Sequence, residues 1–182
     1  MKSISTLLRI YLSGIPGGLG DLKRYGGKKG IGEILRCLMP SDTDLSDEAF
    51  FNKSTTMTLY MIARAMAQIA NSDPVGKFTA GNIADGVVLI GINREPREPR
   101  EQPVAAAISF VNHHATALIG DKIPADVHAK MEFANMKLAH ALFTGSTNAL
   151  ACVGRGDIRM SGNAGLLDNV NRLLDRVSEY LG

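Results

Sequence analysis

The strongest constraint on this fold lies at the C-terminal end of the sequence. Leu166, Leu167, Val170, Leu173, Leu174, Val177, Tyr180 and Leu181 recur at spacings of three and four, which draws one apolar stripe along a helix. Asp168, Asn169, Asn171, Arg172, Asp175, Arg176 and Glu179 fill the opposite side. Asn163 stands where an N-cap belongs. A stripe of this length is costly to leave in water, so the rest of the chain must provide an apolar layer for it to cover.

Five segments read as that layer. Gly86–Ile92 is a continuous aliphatic, β-branched run, which reads as a strand. Val104–Val111 and Ala115–Ile119 are two more, with Asn112-His113-His114 as the tight connection between them. Val127–Phe133 and Asp157–Ser161 alternate apolar and polar residues, as strands with one wet face do. In the last of these Ile158 and Met160 share a face. Short connections between most strands predict an antiparallel sheet.

A helix is predicted from near Ser46, with Ser46 as cap and Asp47 and Glu48 at the positive end of its dipole. Leu59, Ile62, Met66 and Ile69 form its core-facing stripe, and Asn71-Ser72-Asp73-Pro74 ends it. Phe78–Ala84 suits a further short turn. Asn135–Gly145 carries Leu138, Ala141 and Leu142 at helical spacing, with Gly145 as C-cap. The expected class is therefore α+β: a five-stranded antiparallel sheet covered by helices.

Residues 1–45 differ in character and are expected to form an N-terminal extension. It has a short helix bearing Leu7, Leu8, Tyr11 and Leu12, a glycine-rich stretch over 26–32, and a helical run Glu33–Met39 stopped by Pro40. Residues 46–182 form the main domain. Within it, residues 94–103 read Arg-Glu-Pro-Arg-Glu-Pro-Arg-Glu-Gln-Pro, whose three prolines and mixed charges predict an exposed hairpin loop.

Composition narrows the function classes. Twenty basic and 18 acidic residues leave a net charge of +2, with no basic concentration of the kind nucleic acid requires. Cys37 and Cys152 stand far apart and read as free thiols of a reducing compartment. The N-terminus carries Arg9 within its apolar stretch, and no apolar run reaches the roughly 18 residues of a spanning helix. A cytoplasmic soluble protein is expected.

Chemical motifs are weak. Gly26-Gly27-Lys28-Lys29-Gly30 lacks the earlier glycine of a P-loop, since Leu22 occupies that place. His113 and His114 are adjacent, so on a strand they point opposite ways and do not chelate one ion together. His128 and His140 have no evident carboxylate partner. Cys152, after Ala149-Leu150-Ala151, sits in an apolar setting that suits a buried thiol better than a nucleophile.

From about Phe51 to Leu181 the order of elements resembles the sterol carrier protein 2 (SCP2) family of lipid-binding domains. The stretch Asp126–Gly162 carries the likeness best. There a strand leads into the helix Asn135–Thr144, then Gly145 and the polar Ser146-Thr147-Asn148, then Gly156-Asp157-Ile158-Arg159-Met160-Ser161-Gly162-Asn163 before the terminal helix. The resemblance implies a non-enzymatic domain that holds a fatty acid, acyl-coenzyme A, sterol or other lipid in an apolar tunnel. It implies no catalytic residue, metal or cofactor. The lining positions it suggests are Phe133, Leu138, Leu142, Phe143, Ile158, Met160, Leu166, Leu167, Val170 and Leu174. With such a ligand, Lys28 and Lys29 would be placed to contact phosphates.

The aliphatic bulk supports this in part. Hydrophobic residues make up 45% of the chain and aromatics 5%, with eight methionines and no tryptophan, an interior able to repack around a flexible guest. The expected partner is a long apolar small molecule and not a nucleic acid; transient contact with a membrane surface and self-association are compatible with it. One competing expectation is a structural or oligomerisation module with a filled core and no ligand. Another is an enzyme that presents a lipid-like substrate to His113, His114 or Cys152.

Overall fold

The computed structural model describes residues 36–37, 40–93 and 104–181. The expectations for Leu7–Leu12, the glycine-rich stretch with Lys28 and Lys29, most of Glu33–Met39 and the loop 94–103 lie outside the described residues. Arg36 and Cys37 are helical.

Helix α1 (Asp42–Ser46) opens with a capping box, in which Ser41 accepts from the Asp44 amide and Asp44 accepts from the Ser41 amide. Helix α2 (Glu48–Ser72) follows after Asp47. The carboxylate of Asp47, not the hydroxyl of Ser46, caps α2 by accepting from the Ala49 and Phe50 amides; the Ser46 hydroxyl instead donates to the Thr43 carbonyl. Helix α3 (Pro74–Gly81) is longer than the turn expected over 78–84 and starts on Pro74, with Asp73 as its cap. Proline suits a first helical position because the amide it lacks would have no partner there.

The five strands are β1 (Gly86–Ile92), β2 (Val104–Val111), β3 (His114–Ile119), β4 (Ala129–Phe133) and β5 (Ile158–Gly162), in the spatial order β3-β2-β1-β4-β5. β1, β2 and β3 form the expected antiparallel meander. Asn112 (φ 50°) and His113 (φ 64°) turn between β2 and β3 in left-handed conformation, as a two-residue hairpin requires. β4 and β5 are antiparallel.

The sheet is mixed because β4 lies parallel to β1. β3 runs in the direction of β1, so the chain must return to the other end of the sheet before β4 begins. Residues 120–128 make that return, passing through a single turn of 3-10 helix at Gly120–Lys122. Nine extended residues reach about 30 Å, enough to pass three strand spacings of ~4.8 Å and one strand length.

Helices α4 (Met136–Phe143), α5 (Ala149–Arg155) and α6 (Ala164–Leu181) complete the chain. α5 has no counterpart in the sequence expectations; Asn148 caps it and Gly156, at φ 80°, ends it. Asn163 caps α6 as expected, accepting from the Gly165 and Leu166 amides.

α2 packs on β2 and β3, α6 packs on β4 and β1, and the two helices touch. The core lies between these layers. Leu59, Met66 and Ile69 of α2 meet Val88, Ile90, Ile92, Ile108 and Phe110 from the sheet and Val170 and Leu173 from α6, all fully buried. The Asn71 side chain bonds both the amide and the carbonyl of Ala115, which fastens the end of α2 to β3.

Candidate functional site

The positions suggested as lining fall into two groups. Leu166, Leu167 and Val170 are buried in the core beneath α6, together with Phe133 and Ile158, which are cross-strand partners. Leu138, Leu142 and Phe143 of α4 and Leu174 of α6 are partly buried and pack against that core. The Phe133 and Phe143 rings meet edge to face, with centroids 5.6 Å apart.

Met160 stands apart from Ile158. Its register partner Met131 is buried, so Met160 belongs to the helix-facing side of the sheet, yet it is 45% exposed. β5 is the last strand, and the helix that packs most on it among the described residues is the short α5, so its inner face is thinly covered. The side chains between α2 and β1–β2 are fully buried, whereas Leu138, Leu142 and Phe143 of α4 are only partly so and Met160 is exposed. Val153 of α5 is also partly buried against the core.

Burial lowers the pKa of His140, on α4. Its ring lies 4.8 Å from that of Phe51, and its Nδ1 is 3.4 Å from the Thr55 hydroxyl. These partners come from α2, far away in sequence, and the imidazole is held toward its neutral form. His128 is structural: the Val87 amide donates to its Nδ1 over 3.2 Å. His113 and His114 are exposed residues of the hairpin. Cys37 and Cys152 are buried; Arg155 donates to the Cys152 sulfur over 3.3 Å.

A residue that the sequence offered only as a helix stop proves central to the architecture. Asp73 is 2% exposed. Its carboxylate accepts from Arg176 Nε and Nη2 at 3.2 and 3.1 Å, from the Tyr180 hydroxyl at 2.6 Å, and from the Val75 and Gly76 amides. Burial pushes its pKa up, but the bonds from Arg176, Tyr180 and Gly76 outweigh it and hold the carboxyl at about 2. An aspartate immediately before proline is a capping signal readable in sequence; its bonds to residues 103 and 107 positions away are not.

A separate depression of about 460 Å³ lies along α2, lined by Ala49, Asn52, Lys53, Thr56, Met57 and Tyr60. It is open, and it includes none of the suggested lining positions. Among the described residues no group of three or more His, Cys, Asp or Glu could hold a metal ion, and no helix is long and apolar enough to cross a membrane.

No family model and no curated protein matches the sequence. Among solved structures the chain is similar to sterol carrier protein 2 from Yarrowia lipolytica in its apo form, at 15% identity and TM-score 0.42, covering 58% of this chain and 87% of that one. It is also similar to palmitated SCP2L2 from Aedes aegypti, at 14% identity and TM-score 0.44, covering 62% and 90%. A third is the UbiJ-SCP2 ubiquinone synthesis protein, at 12% identity and TM-score 0.45, covering 68% and 93%. The architecture is the α+β one read from the sequence, a five-stranded sheet covered by helices, with a mixed sheet in place of a wholly antiparallel one.

Proposed function

We propose that this domain is a non-enzymatic carrier that holds a long apolar ligand, of the fatty acyl or isoprenoid kind, on the helix-facing side of the sheet. It would load at the α4–α5–β5 side. The observation that carries the reading is the graded burial of one continuous apolar surface. That surface runs from the closed core, which includes Phe133 and Ile158, to Leu138, Leu142 and Phe143, partly buried and packed against it; the exposed Met160 is the register partner of buried Met131 at the edge of the sheet. Each methylene taken from water contributes about 0.8 kcal/mol, so a chain of a dozen carbons binds well after ordering costs are subtracted. Unbranched Met131, Met136 and Met160, together with the leucines of α4, can shift to admit it. A cytoplasmic setting suits the free thiols.

The fully buried side chains between α2 and β1–β2 favour a second reading, a filled scaffold without a ligand. Native mass spectrometry of protein purified from its natural host, with titration of fluorescent fatty acids and a polyprenyl analogue, separates the two. A carrier retains a lipid-sized adduct or takes up at least one probe, and Leu142→Glu weakens that uptake. Apo protein with no probe bound leaves the scaffold.

A further inference from the structure

The two edges of the sheet are treated differently. At β3 the Asn71 side chain occupies the Ala115 amide and carbonyl, over 2.9 and 2.7 Å, so that edge carries its own plug. At β5 no such plug is found among the described residues. The Asp157 carbonyl accepts from the Ala134 amide, and the Asn163 amide donates to the His128 carbonyl. With a period of two, Arg159 and Ser161 turn their backbone groups toward β4 as well. The amides and carbonyls of Ile158, Met160 and Gly162 therefore point away from the sheet, and among the described residues no backbone bond reaches them. An edge of this kind is a template for another strand. An exposed apolar side chain lies on it: Met160, 45% exposed.

We propose that β5 pairs antiparallel with β5 of a second copy of this chain, about a two-fold axis at Met160, joining two five-stranded sheets into one of ten. The register follows from hydrogen-bond parity and charge. Centring on Met160 sets Met160 opposite its mate and Ile158 opposite Gly162, so every outward-facing backbone group meets another outward-facing one. The same register sets Arg159 opposite Ser161. Centring on Arg159 also satisfies parity, but it puts two guanidinium groups face to face, which is unfavourable. Centring on Ser161 brings fewer outward groups together. In the Met160 register Arg159 keeps its own cross-strand partner Glu132, and the two Met160 side chains meet on the helix-facing side of the joined sheet. A two-fold pairing closes on itself and uses up both free edges, so it does not propagate into fibres.

Sedimentation equilibrium of the full chain over a wide concentration range tests this, with three variants. The wild type is expected to be a dimer. Met160→Pro removes an amide that points away from β4, so the monomer keeps its sheet bonds, and this variant is expected to be monomeric with an unchanged far-ultraviolet circular dichroism spectrum. Should that variant fail to fold, Ser161→Lys at an exposed position serves, because it sets a lysine against Arg159 of the second copy and is expected to raise the dissociation constant at least tenfold. Met160→Cys is expected to form an intersubunit disulfide on mild oxidation, since opposed residues of a hydrogen-bonded pair have Cα atoms about 5.5 Å apart. A monomeric wild type overturns the proposal. So does a dimer whose affinity is untouched by the folded variants, or a Met160→Cys protein that does not crosslink.

Discussion

Single side chains hold the two ends of the domain together. Asp73 joins the α2–α3 junction to the terminal helix through Arg176 and Tyr180, and Arg176 also pairs with Glu179. Asp73→Ala removes a helix cap and leaves the guanidinium without its buried carboxylate. Denaturant unfolding is expected to show a loss of about 3 kcal/mol. A fall from 3.8 to about 2 means the unfolded chain binds the proton more readily than the folded one. The stabilisation is then fully present above pH 4 and is lost as pH falls toward 2. It amounts to about 2 kcal/mol. The difference between wild type and Asp73→Asn, followed by thermal melts from pH 6 to pH 2, should shrink across that window. Asp44 is also held at about 2, first by its hydrogen bond from Arg36, but it is common to both proteins and cancels. His140 acts at milder pH. Burial lowers its pKa, so the fold is most stable with the ring neutral and loses stability as pH drops below the unfolded value of about 6.5. Nuclear magnetic resonance titration should find the His140 midpoint below the ordinary imidazole value of about 6.5.

At the scale of elements, α6 is the lid of the core and β5 its least supported wall. Leu173 is fully buried under α6, and Leu173→Ala is expected to lower the unfolding free energy by about 3 kcal/mol. Gly162 ends β5 at φ 90°, and a Cβ there would sit 2.3 Å from the His128 carbonyl oxygen. The carbonyl belongs to the backbone that also receives the Asn163 amide, so it has little room to yield. Gly162→Ala is expected to cost 2 kcal/mol or more and to loosen the start of α6, visible as faster amide exchange at Leu166 and Leu167. The closing glycine-strand-glycine pattern of the sequence thus has a steric cause at its second glycine.

For the whole molecule, carrier and scaffold differ in what a ligand does to stability. A guest that binds only the folded chain stabilises it by mass action, about 2.7 kcal/mol at a hundred times its dissociation constant. A rise in Tm with a fatty acid or polyprenyl probe, and a negative heat-capacity change on binding, are the expected calorimetric outcomes for a carrier. A Tm indifferent to every apolar probe belongs to a scaffold.

Local periodicity carried much of this architecture by itself. The apolar stripe of α6 with its Asn163 cap, the long helix α2, and strands β1 and β2 to the residue could all be read from spacing, because amphipathic pattern and capping chemistry act between near neighbours in the chain. The apolar faces of α4 and α6, suggested as lining, were likewise readable from spacing. What those faces meet was not. Strand direction depends on where a connector travels, and nothing local in residues 120–128 announces that they return the chain to set β4 parallel to β1. α5 is too short, and too rich in small residues, for periodicity to announce it. The Asp73–Arg176–Tyr180 node, the pairing of His140 with Phe51 and Thr55, and the exposure of Met160 on an inward-facing position join or depend on segments far apart in sequence. Burial and hydrogen-bond partnership across such distances are properties of the packed layers, and only the tertiary structure decided them.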